Sequence, residues 1–211
     1  DTYDEETAAT GHSYTSEITT AATCTTDGLR TYTCSNCGDS YTEVIAAGHT
    51  YEGSSVICKV CGLFEFYASN VHLGNSLDMM FAFPAAAFDA DADLGGYYVK
   101  AVRTYADGHT EEIMFRASTW SATTINNVKY YVVIYKGFAA KELCDSISLT
   151  VCRYTTGEEV ALSTVWEDSI QRYAMRMLND HSGNEKLRSL IVDMLNYGAA
   201  CQTEFKYNTG S

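Results

Sequence analysis

The amino-acid sequence predicts a mainly β protein with C-terminal helices, in the α+β class, preceded by a small Cys/His-rich segment. Three observations lead to this prediction. Cys and His residues recur in two related phrases near the N-terminus, short aromatic and β-branched runs separated by turns follow, and the last part of the chain changes to a helical period. We therefore divide the 211 residues into β-hairpin repeats over 1–62, an antiparallel β-sandwich over 63–160, and a helical hairpin packed on the sandwich over 161–211.

The Cys/His-rich segment, residues 1–62, contains an internal repeat. The phrase "GHSY" at residue 11 returns as "GHTY" at residue 48, and "CSNCG" at residue 34 returns as "CKVCG" at residue 58. The segment is rich in Thr, Ser, Gly and Tyr and has few apolar runs, so burial alone is not expected to fold it. Asp27-Gly28 before "LRTYTC" predicts a tight turn between two strands.

Residues 63–160 show the pattern of an antiparallel sandwich. Pairs of strand-like runs enclose turn signals: "LFEFYASN" and "SLDMMFAF" enclose "LGN", "GYYVKAVRTY" and "TEEIMFRAST" enclose "ADGH", and "WSATTI" and "KYYVVIYKGF" enclose Asn126-Asn127. A further run, "DSISLTVCRYT", precedes Gly157. Several short strands joined by tight turns are typical of a sandwich of two antiparallel sheets.

The chain after residue 160 changes to helical periodicity. Two sets of apolar residues repeat at intervals of three and four: Ile170, Tyr173, Ala174, Met177 and Leu178, and then Leu187, Leu190, Ile191, Met194 and Leu195. Ser163 or Thr164 is predicted to cap the first helix, with Glu167 and Asp168 in its first turn. "DHSGN" separates the two helices, and the small residues Gly198-Ala199-Ala200 predict close packing of the second helix against another backbone.

The repeated phrases supply ligands for a metal ion. Seven candidate ligands fall in this segment: His12, Cys24, Cys34, Cys37, His49, Cys58 and Cys61. Zinc favours thiolate sulfur and imidazole nitrogen in sets of four, and a CxxC turn offers two sulfurs to one ion. One partition places the four ligands of the first copy around one ion. Another joins the two CxxC motifs, whose separation of 20 residues is typical of a zinc ribbon. Both partitions predict at least one structural zinc ion.

Two other uses of these cysteines stay open. In an oxidising compartment they could pair as disulfides, although the histidines that recur with each CxxC have no role in a disulfide framework. A catalytic zinc would need an open coordination position and a general base beside it. The second copy lacks a counterpart of Cys24, and we expect it to borrow a ligand from the first copy. The remaining cysteines, Cys144, Cys152 and Cys201, lie in apolar surroundings and are predicted to be ordinary buried residues.

Composition and motifs argue against several classes of function. The chain has 14 Lys+Arg and 27 Asp+Glu residues, and its net charge of −13 repels the phosphate backbone of nucleic acids. No run approaches the roughly 18 apolar residues of a membrane span. The sequence contains no GxSxG or HExxH motif and no phosphate-binding glycine loop, and nothing marks a catalytic pair among the 27 acids. It therefore predicts a protein that is not an enzyme, does not bind nucleic acid and does not insert into a membrane.

Two stretches resemble a group of known proteins. "TCTTDGLRTYTCSNCGDSYTEVIAAGHTY" resembles the tandem Cys/His repeats of secreted surface proteins of gut Firmicutes, and "YAMRMLNDHSGNEKLRSLIVDMLNYGAACQTEFKYNTG" resembles the helical tail that follows a β-sandwich in many of them. The matching tail residues are Leu195, Asn196, Tyr197, Gly198, Ala199, Gln202, Tyr207, Asn208 and Thr209. One such group is the starch-adherence proteins of bacterial amylosomes, whose domain captures the end of an α-1,4-glucan between sandwich and helices. The resemblance implies a secreted, cell-surface protein that binds an α-glucan and other proteins of a surface complex.

The candidate glycan ligands are aromatic and polar residues at the junction of sandwich and helices, beside a predicted turn of the sandwich, and near the C-terminus. A glucan presents apolar C–H faces and a rim of hydroxyls, so it fits an exposed aromatic ring with polar groups around it. The candidates are Trp166, Asp168, Trp120, Arg172, Lys206 and Tyr207; for either Trp, the alternative is a place in the core or at the hinge. The predicted function is a non-catalytic carbohydrate-binding module for α-1,4-glucan, as starch or maltooligosaccharide. The alternative is a structural or protein-interaction module of a cell-surface complex without a glycan ligand.

Overall fold

The computed structural model describes residues 11–74, 76–88, 93–180 and 183–208. Residues 1–10 of the predicted repeat segment and Thr209 of the tail phrase lie outside the described residues. The described chain forms two compact units: the N-terminal unit, from 11–53 and 58–61, and the sandwich unit, from 54–57 and the described part of 62–208. Three antiparallel sheets and two C-terminal helices confirm the predicted class, mainly β with helices at the C-terminus.

The N-terminal unit contains a three-stranded antiparallel sheet with a thin core. Its strands lie in the order β1 (Tyr14–Thr20), β2 (Gly28–Cys34) and β3 (Ser40–Ile45). Every residue of β1 is exposed, and the buried apolar side chains among the described residues of this unit are those of Cys34 and Cys58. Alternation of apolar and polar residues does not stabilise this sheet, because its described residues present no apolar face to a core.

Gly28 begins β2 where the chain turns back from β1. A Cβ atom at this position would lie 2.5 Å from the carbonyl oxygen of Thr20 and 2.4 Å from the backbone nitrogen of Ala22, so only glycine fits. The neighbouring carboxylate of Asp27 accepts a hydrogen bond from the backbone N–H of Ala47 at 2.7 Å. This contact ties the β1–β2 connection to the segment that follows β3.

The sandwich unit contains two antiparallel sheets. The strands of the first, in spatial order, are β4 (Ala68–Leu73), β5 (Leu77–Pro84), β9 (Val128–Phe138) and β8 (Ser121–Ile125). The strands of the second are β11 (Glu158–Ala161), β10 (Ser146–Thr155), β6 (Tyr97–Thr104) and β7 (Thr110–Arg116), and β12 (Trp166–Asp168) also pairs with β10. The antiparallel pairs β4–β5, β6–β7 and β8–β9 therefore flank the three predicted turn signals.

The turn between β8 and β9 shows why the chain has asparagine there. Asn126 and Asn127 have φ angles of 50° and 63°, the left-handed region that the tight hairpin turn requires at both central positions. Asparagine tolerates this region better than other residues with a side chain. Gly108 plays the corresponding part between β6 and β7, with a φ angle of 86°.

Alternate residues of the facing sheets form the hydrophobic core of the sandwich unit. Phe81 and Phe83 project from β5, and they meet Val99 of β6 and Leu149 and Val151 of β10 in one cluster. All five are fully buried. Each such side chain contributes about 1.5–3 kcal/mol through removal of apolar surface from water.

Two helices complete the sandwich unit. They are α1 (Ile170–Asp180) and α2 (Glu185–Glu204). The side chain of Asn184 caps α2 by accepting a hydrogen bond from the backbone N–H of Leu187 at 3.1 Å. Ile170 and Ala174 of α1 are fully buried. Neither of these described helices has the length and apolar composition that a membrane crossing needs.

The start of α1 differs from the sequence prediction. The segment Trp166–Asp168, predicted to lie in the first helical turns, instead forms β12. Ser169 caps α1, because its hydroxyl accepts a hydrogen bond from the backbone N–H of Arg172 at 3.0 Å. Neither Ser163 nor Thr164 is the cap, and the hydroxyl of Ser163 instead accepts a hydrogen bond from β10. Pairing with the sheet outweighs the acidic residues that favoured an earlier helix start.

The close packing predicted for the small residues of α2 occurs at Gly198. A Cβ atom there would lie 2.2 Å from Cδ1 of Leu143 and 3.1 Å from the carbonyl oxygen of Ala140. Leu143 is itself buried, so it has little freedom to move away. Because Gly198 has no side chain, α2 can pack closely against the segment that contains Ala140 and Leu143.

Candidate metal centre

Four ligand atoms converge in the N-terminal unit. Those of Cys24, His49, Cys58 and Cys61 all lie within 4.8 Å of one another. The sulfurs of Cys24 and Cys58 are 3.7 Å apart, and Cys61 Sγ lies 3.4 Å from His49 Nδ1. A tetrahedral ion with Zn–S bonds of about 2.3 Å holds its sulfurs about 3.8 Å apart, and a sulfur and an imidazole nitrogen about 3.6 Å apart. This group, the closed set, therefore has the spacing of a four-ligand metal site.

The backbone brings Cys24 and His49 together. The N–H of Gly48, next to His49, donates a hydrogen bond to the carbonyl oxygen of Thr23, next to Cys24, at 3.2 Å. Cys24 lies in the connection between β1 and β2, and His49 follows the end of β3. The residues at those strand ends, Gly28 and Ile45, are register partners, so the sheet itself aligns the two ligands.

Backbone N–H groups prepare the sulfur of Cys58 to bind a cation. Thr50 and Val60 each donate to Cys58 Sγ at 3.4 Å. Together with the N–H of Cys61, which contributes most, they lower the pKa of the Cys58 thiol to about 5. Thiolate is the form that binds metal, so the fold favours the required protonation state before any ion is present.

The surroundings of Cys24 shift the pKa of its thiol in the opposite direction from that of Cys58. Burial, together with the neighbouring sulfurs of Cys58 and Cys61, raises the pKa of the Cys24 thiol to about 11. A bound cation reverses this tendency, because a coordinating thiol is deprotonated outright. The proton of Cys24 is thus expected to leave when metal binds.

A second group of ligands lies near the other end of β2. His12, Cys34 and Cys37 also have ligand atoms within 4.8 Å of one another, with Cys37 Sγ 3.3 Å from His12 Nδ1. This group is the open set. Burial by itself raises the pKa of the Cys34 thiol, but hydrogen bonds led by the N–H of Asn36 outweigh it and lower that pKa to about 6. Both sets can therefore hold a metal ion.

Neither partition from the sequence describes this arrangement. Cys24 does not lie with His12, Cys34 and Cys37, and the two CxxC motifs fall in separate groups of ligand atoms. The reason is the length of β2, which at seven residues spans about 20 Å at about 3.3 Å per residue. Cys24 precedes β2 and Cys34 ends it, so they fall at opposite ends of the sheet. The second copy does take its fourth ligand, Cys24, from the first.

The two tryptophans predicted to bind glycan contribute to the interior of the sandwich unit. Trp120 packs edge-on against Phe83, with ring centroids 4.9 Å apart, and its Nε1 donates to the carbonyl oxygen of Phe115 at 3.0 Å. Trp166 packs against Phe66 at 6.2 Å, and its buried Nε1 has no hydrogen-bond partner among the described residues. Both rings are partly buried and pack against the core cluster.

Among the polar candidates, Asp168 is fully buried. Its carboxylate accepts hydrogen bonds from Ser69 and Arg176, each at 2.6 Å, so it forms a structural ion pair and faces no solvent. The prediction that Asp168 contacts a glycan is therefore corrected: pairing of β12 with β10 turns this side chain inward.

The remaining polar candidates do not take part in that ion pair. The hydroxyl of Tyr207 donates to Asp145 at 2.7 Å. Arg172 is exposed, 3.8 Å from Glu167, and Lys206 is exposed in a left-handed conformation with a φ angle of 49°. Of the six candidates, Trp166, Asp168 and Arg172 therefore lie at the junction of β12 and α1, whereas Lys206 and Tyr207 follow α2 and Trp120 precedes β8.

A groove on the outer face of the second sheet combines aromatic and polar side chains, the composition predicted for a glycan site. Its volume is about 380 Å³. Its described lining residues are Gly95, Gly96, Tyr98, Met114, Arg116, Tyr154 and Glu159. The ring of Tyr154 is 59% exposed. Glu159 accepts a hydrogen bond from Tyr98 at 2.5 Å and another from Lys100. Sequence reasoning missed this groove, although Tyr98 and Lys100 alternate with the buried Val99 and must share the outer face of β6.

Comparisons of the chain with protein-family models, curated proteins and solved structures found no match. Two features of the described residues are therefore the candidates for function. One is the pair of Cys/His sets in the N-terminal unit, and the other is the tyrosine-containing groove of the sandwich unit.

Proposed function

We propose that the N-terminal unit is a zinc module whose closed set, Cys24, His49, Cys58 and Cys61, binds a structural Zn²⁺ ion. The observation that carries this proposal is the convergence of these four ligand atoms within 4.8 Å. Three thiolates and one imidazole in a tetrahedral arrangement are typical of zinc, whereas calcium and magnesium prefer oxygen ligands. Four protein ligands leave no position for a substrate, so the ion's part is structural.

Burial supports a structural role for the ion. The buried apolar side chains among the described residues of the N-terminal unit are Cys34 and Cys58, and each is a candidate ligand. Without a core, a segment of this size generally needs a metal or disulfides to fold. Metal binding then supplies folding free energy directly, because an unfolded chain does not hold the ligands together.

Metal analysis of the purified chain tests the zinc proposal. We expect at least one zinc ion per chain, and replacement by Co²⁺ should give the visible absorption of tetrahedral thiolate coordination. His49→Ala should remove the ion of the closed set. His109→Ala is the matched control, because His109 is an exposed histidine in the β6–β7 turn and belongs to neither Cys/His set. Absence of metal, with the thiols oxidised in pairs, would replace this proposal with a disulfide framework.

A second candidate function, carbohydrate binding without catalysis, is favoured by the groove of the sandwich unit. Tyr154 presents an exposed ring on which a sugar can stack, and Arg116 and Glu159 provide charged hydrogen-bonding groups beside it. Among the described lining residues Glu159 is the single carboxylate, while glycoside hydrolysis commonly uses two. An α-1,4-glucan of a cell-surface, secreted system is the ligand that the sequence resemblance suggests.

Affinity electrophoresis in starch-containing gels tests this second candidate. Retardation of the wild-type chain should be lost in Tyr154→Ala. It should persist in Tyr197→Ala, a matched loss of an exposed tyrosine on α2, which is 66% exposed and lies outside the groove. If starch does not retard the wild-type chain, the α-glucan proposal fails, and the structural or protein-interaction function remains.

A further inference from the structure

The closed and open sets share one local geometry. In each, the imidazole Nδ1 of a histidine lies beside the sulfur of the second cysteine of a CxxC motif. The distances are 3.4 Å from His49 to Cys61 and 3.3 Å from His12 to Cys37. Each set thus contains the same half-site, built from one GH-x-Y phrase and one CxxC phrase.

The first cysteine of each CxxC motif is also held in the same way. In the closed set, Cys58 is 1% exposed and accepts the backbone N–H groups of Thr50 and Val60. In the open set, Cys34 is 2% exposed, and the backbone N–H groups of Ser13 and Asn36 are among its hydrogen-bond donors. The donors correspond in both copies: one follows the histidine, and the other is the third residue of the CxxC motif.

The two sets differ in the fourth ligand. Cys24 is the fourth ligand of the closed set, and its sulfur lies 3.7 Å from the sulfur of Cys58. Among the described residues, no further Cys, His, Asp or Glu joins the open set within 4.8 Å. The nearby carboxylate of Asp39 already accepts a hydrogen bond from Tyr14 at 2.5 Å. His12 and Cys37 are exposed, so solvent reaches the open set directly.

We propose that His12, Cys34 and Cys37 form a second zinc site whose fourth coordination position accepts a thiolate from outside the described chain. This inference rests on the proposed zinc binding of the N-terminal unit. Three protein ligands leave a zinc ion one position short of its tetrahedron. The matching position in the closed set is filled by the thiolate of Cys24, with the other three ligands arranged alike. The open position therefore fits the same donor, a thiolate of another molecule, because all eight cysteines of this chain lie in the described residues.

An open, exposed site and a closed site should differ in how fast they release metal. Among the described residues, the open set offers three ligands, two of them exposed, whereas the closed set offers four. A chelator in solution can attack the ion of the open set through its free position. We therefore expect two kinetic classes of zinc in the full chain, one released rapidly and one slowly.

Counting ions in the full chain tests the second site. We expect two zinc ions in the wild type and one in His12→Ala, with the rapidly released class missing from the variant. His109→Ala, outside both sets, should keep two. A single ion in the wild type, with a number and release rate that His12→Ala does not change, would overturn the second site and leave the closed set intact. No ion at all would instead overturn the proposed function on which this inference rests.

A small thiol tests the open position separately. When the Co²⁺-loaded wild type is titrated with 2-mercaptoethanol, thiolate-to-metal absorption should increase to saturation at one thiol per chain. His12→Ala, loaded with Co²⁺ in its closed set, should show no such increase. Two bound ions without any response to the thiol would overturn the open position, because the fourth ligand would then come from the chain itself.

Discussion

The two units of this chain achieve the same result, a folded antiparallel sheet, by different physical means. In the sandwich unit, 17 buried residues form a continuous hydrophobic cluster between two sheets. In the N-terminal unit, β1 is exposed along its whole length, and the buried apolar side chains of the described residues are two cysteines. The difference teaches that regular strands need not imply a core; in the proposed zinc module, ligands at the strand ends hold the sheet together instead.

Energetic scales sharpen this comparison. A buried aliphatic or aromatic side chain is worth about 1.5–3 kcal/mol, so a large core supplies its stability in many small parts. One structural zinc site supplies about 10–16 kcal/mol of apparent binding free energy at neutral pH. A single substitution should therefore be far more damaging in the N-terminal unit than in the sandwich unit.

The largest expected effect is that of Cys58→Ser. Loss of this thiolate removes a ligand from the closed set, so the N-terminal unit should lose that ion and a stabilisation of about 10 kcal/mol. Cys152→Ser is the matched control, because Cys152 is also 1% exposed but belongs to neither Cys/His set. It should cost about 1–3 kcal/mol in the sandwich unit and leave the metal content unchanged. Amide NMR spectra and metal analysis of both variants check this contrast, which equal damage by the two substitutions would contradict.

The second effect concerns the core. Phe81→Ala leaves a cavity at a fully buried position of β5, and should lower the free energy of unfolding of the sandwich unit by about 3–5 kcal/mol. The zinc content of the N-terminal unit should not change. Urea denaturation followed by the fluorescence of Trp120 and Trp166 measures the loss. A cost below about 1 kcal/mol would mean that the cluster is not tightly packed.

A smaller effect is expected at the docking point of α2. Gly198→Ala places a methyl group 2.2 Å from Cδ1 of Leu143, and overpacking of this kind costs about 1–3 kcal/mol. The better helix propensity of alanine offsets up to about 1 kcal/mol of it. Gly183→Ala, where no atom lies within 4 Å of the new Cβ, is the control and should have almost no effect. Thermal melts of the two variants compare them, and equal melting temperatures would rule out the tight contact.

The smallest effect is a pH dependence of the sandwich unit. Burial raises the pKa of Glu142, but the N–H of Ala139 and the guanidinium of Arg103 outweigh it and hold that pKa below its usual value. A carboxyl whose folded pKa is lowered stabilises the fold above its unfolded pKa, and the benefit disappears as the pH falls through the folded pKa. Stability should thus decline below about pH 4.5, with a shallower decline in Glu142→Gln. Denaturant melts of the sandwich unit at several pH values provide the measurement, and identical slopes would contradict the role of Glu142.

Local patterns predicted the local structure well. Asn126 and Asn127 turn the chain between β8 and β9, and Gly198 lies where α2 approaches a neighbouring loop, because each depends on the conformation or size of the residue itself. The start of α1 could not be predicted in this way. Trp166–Asp168 carries acidic residues that suit a helix start, but it pairs with β10, a strand that ends more than ten residues earlier in the chain.

The ligand residues could be found from the sequence, but their grouping could not. Cys24 and Cys34 belong to one repeat phrase, and proximity in sequence suggested one ion. Each strand of the N-terminal unit carries the chain from one end of the sheet to the other, so His12 and the pair Cys34 and Cys37 lie at one end, and Cys24 lies at the other. Counting the strands between His12, Cys24 and Cys34 would have indicated the grouping that the structure has.

The glycan candidates show a different limit. Trp120 and Trp166 are large aromatic residues near turns and junctions, and the sequence does not distinguish a buried ring there from an exposed one. Burial depends on residues distant in sequence: Phe83 of β5 packs against Trp120, and Phe66, which precedes β4, packs against Trp166. Tyr154 could have been predicted to lie outside the core, because strand alternation places it on the face of β10 opposite to the buried Leu149 and Val151.

Removal of metal from the intact chain tests the central claim most directly. We would treat the protein with EDTA at neutral pH under reducing conditions and record amide NMR spectra, with a thermal melt of the same sample. The account predicts that signals of the N-terminal unit collapse to those of an unfolded segment and return with added zinc, while the sandwich unit keeps its dispersed signals and cooperative melt. An N-terminal unit that stays folded without metal, or a chain that contains no metal when purified, would contradict it.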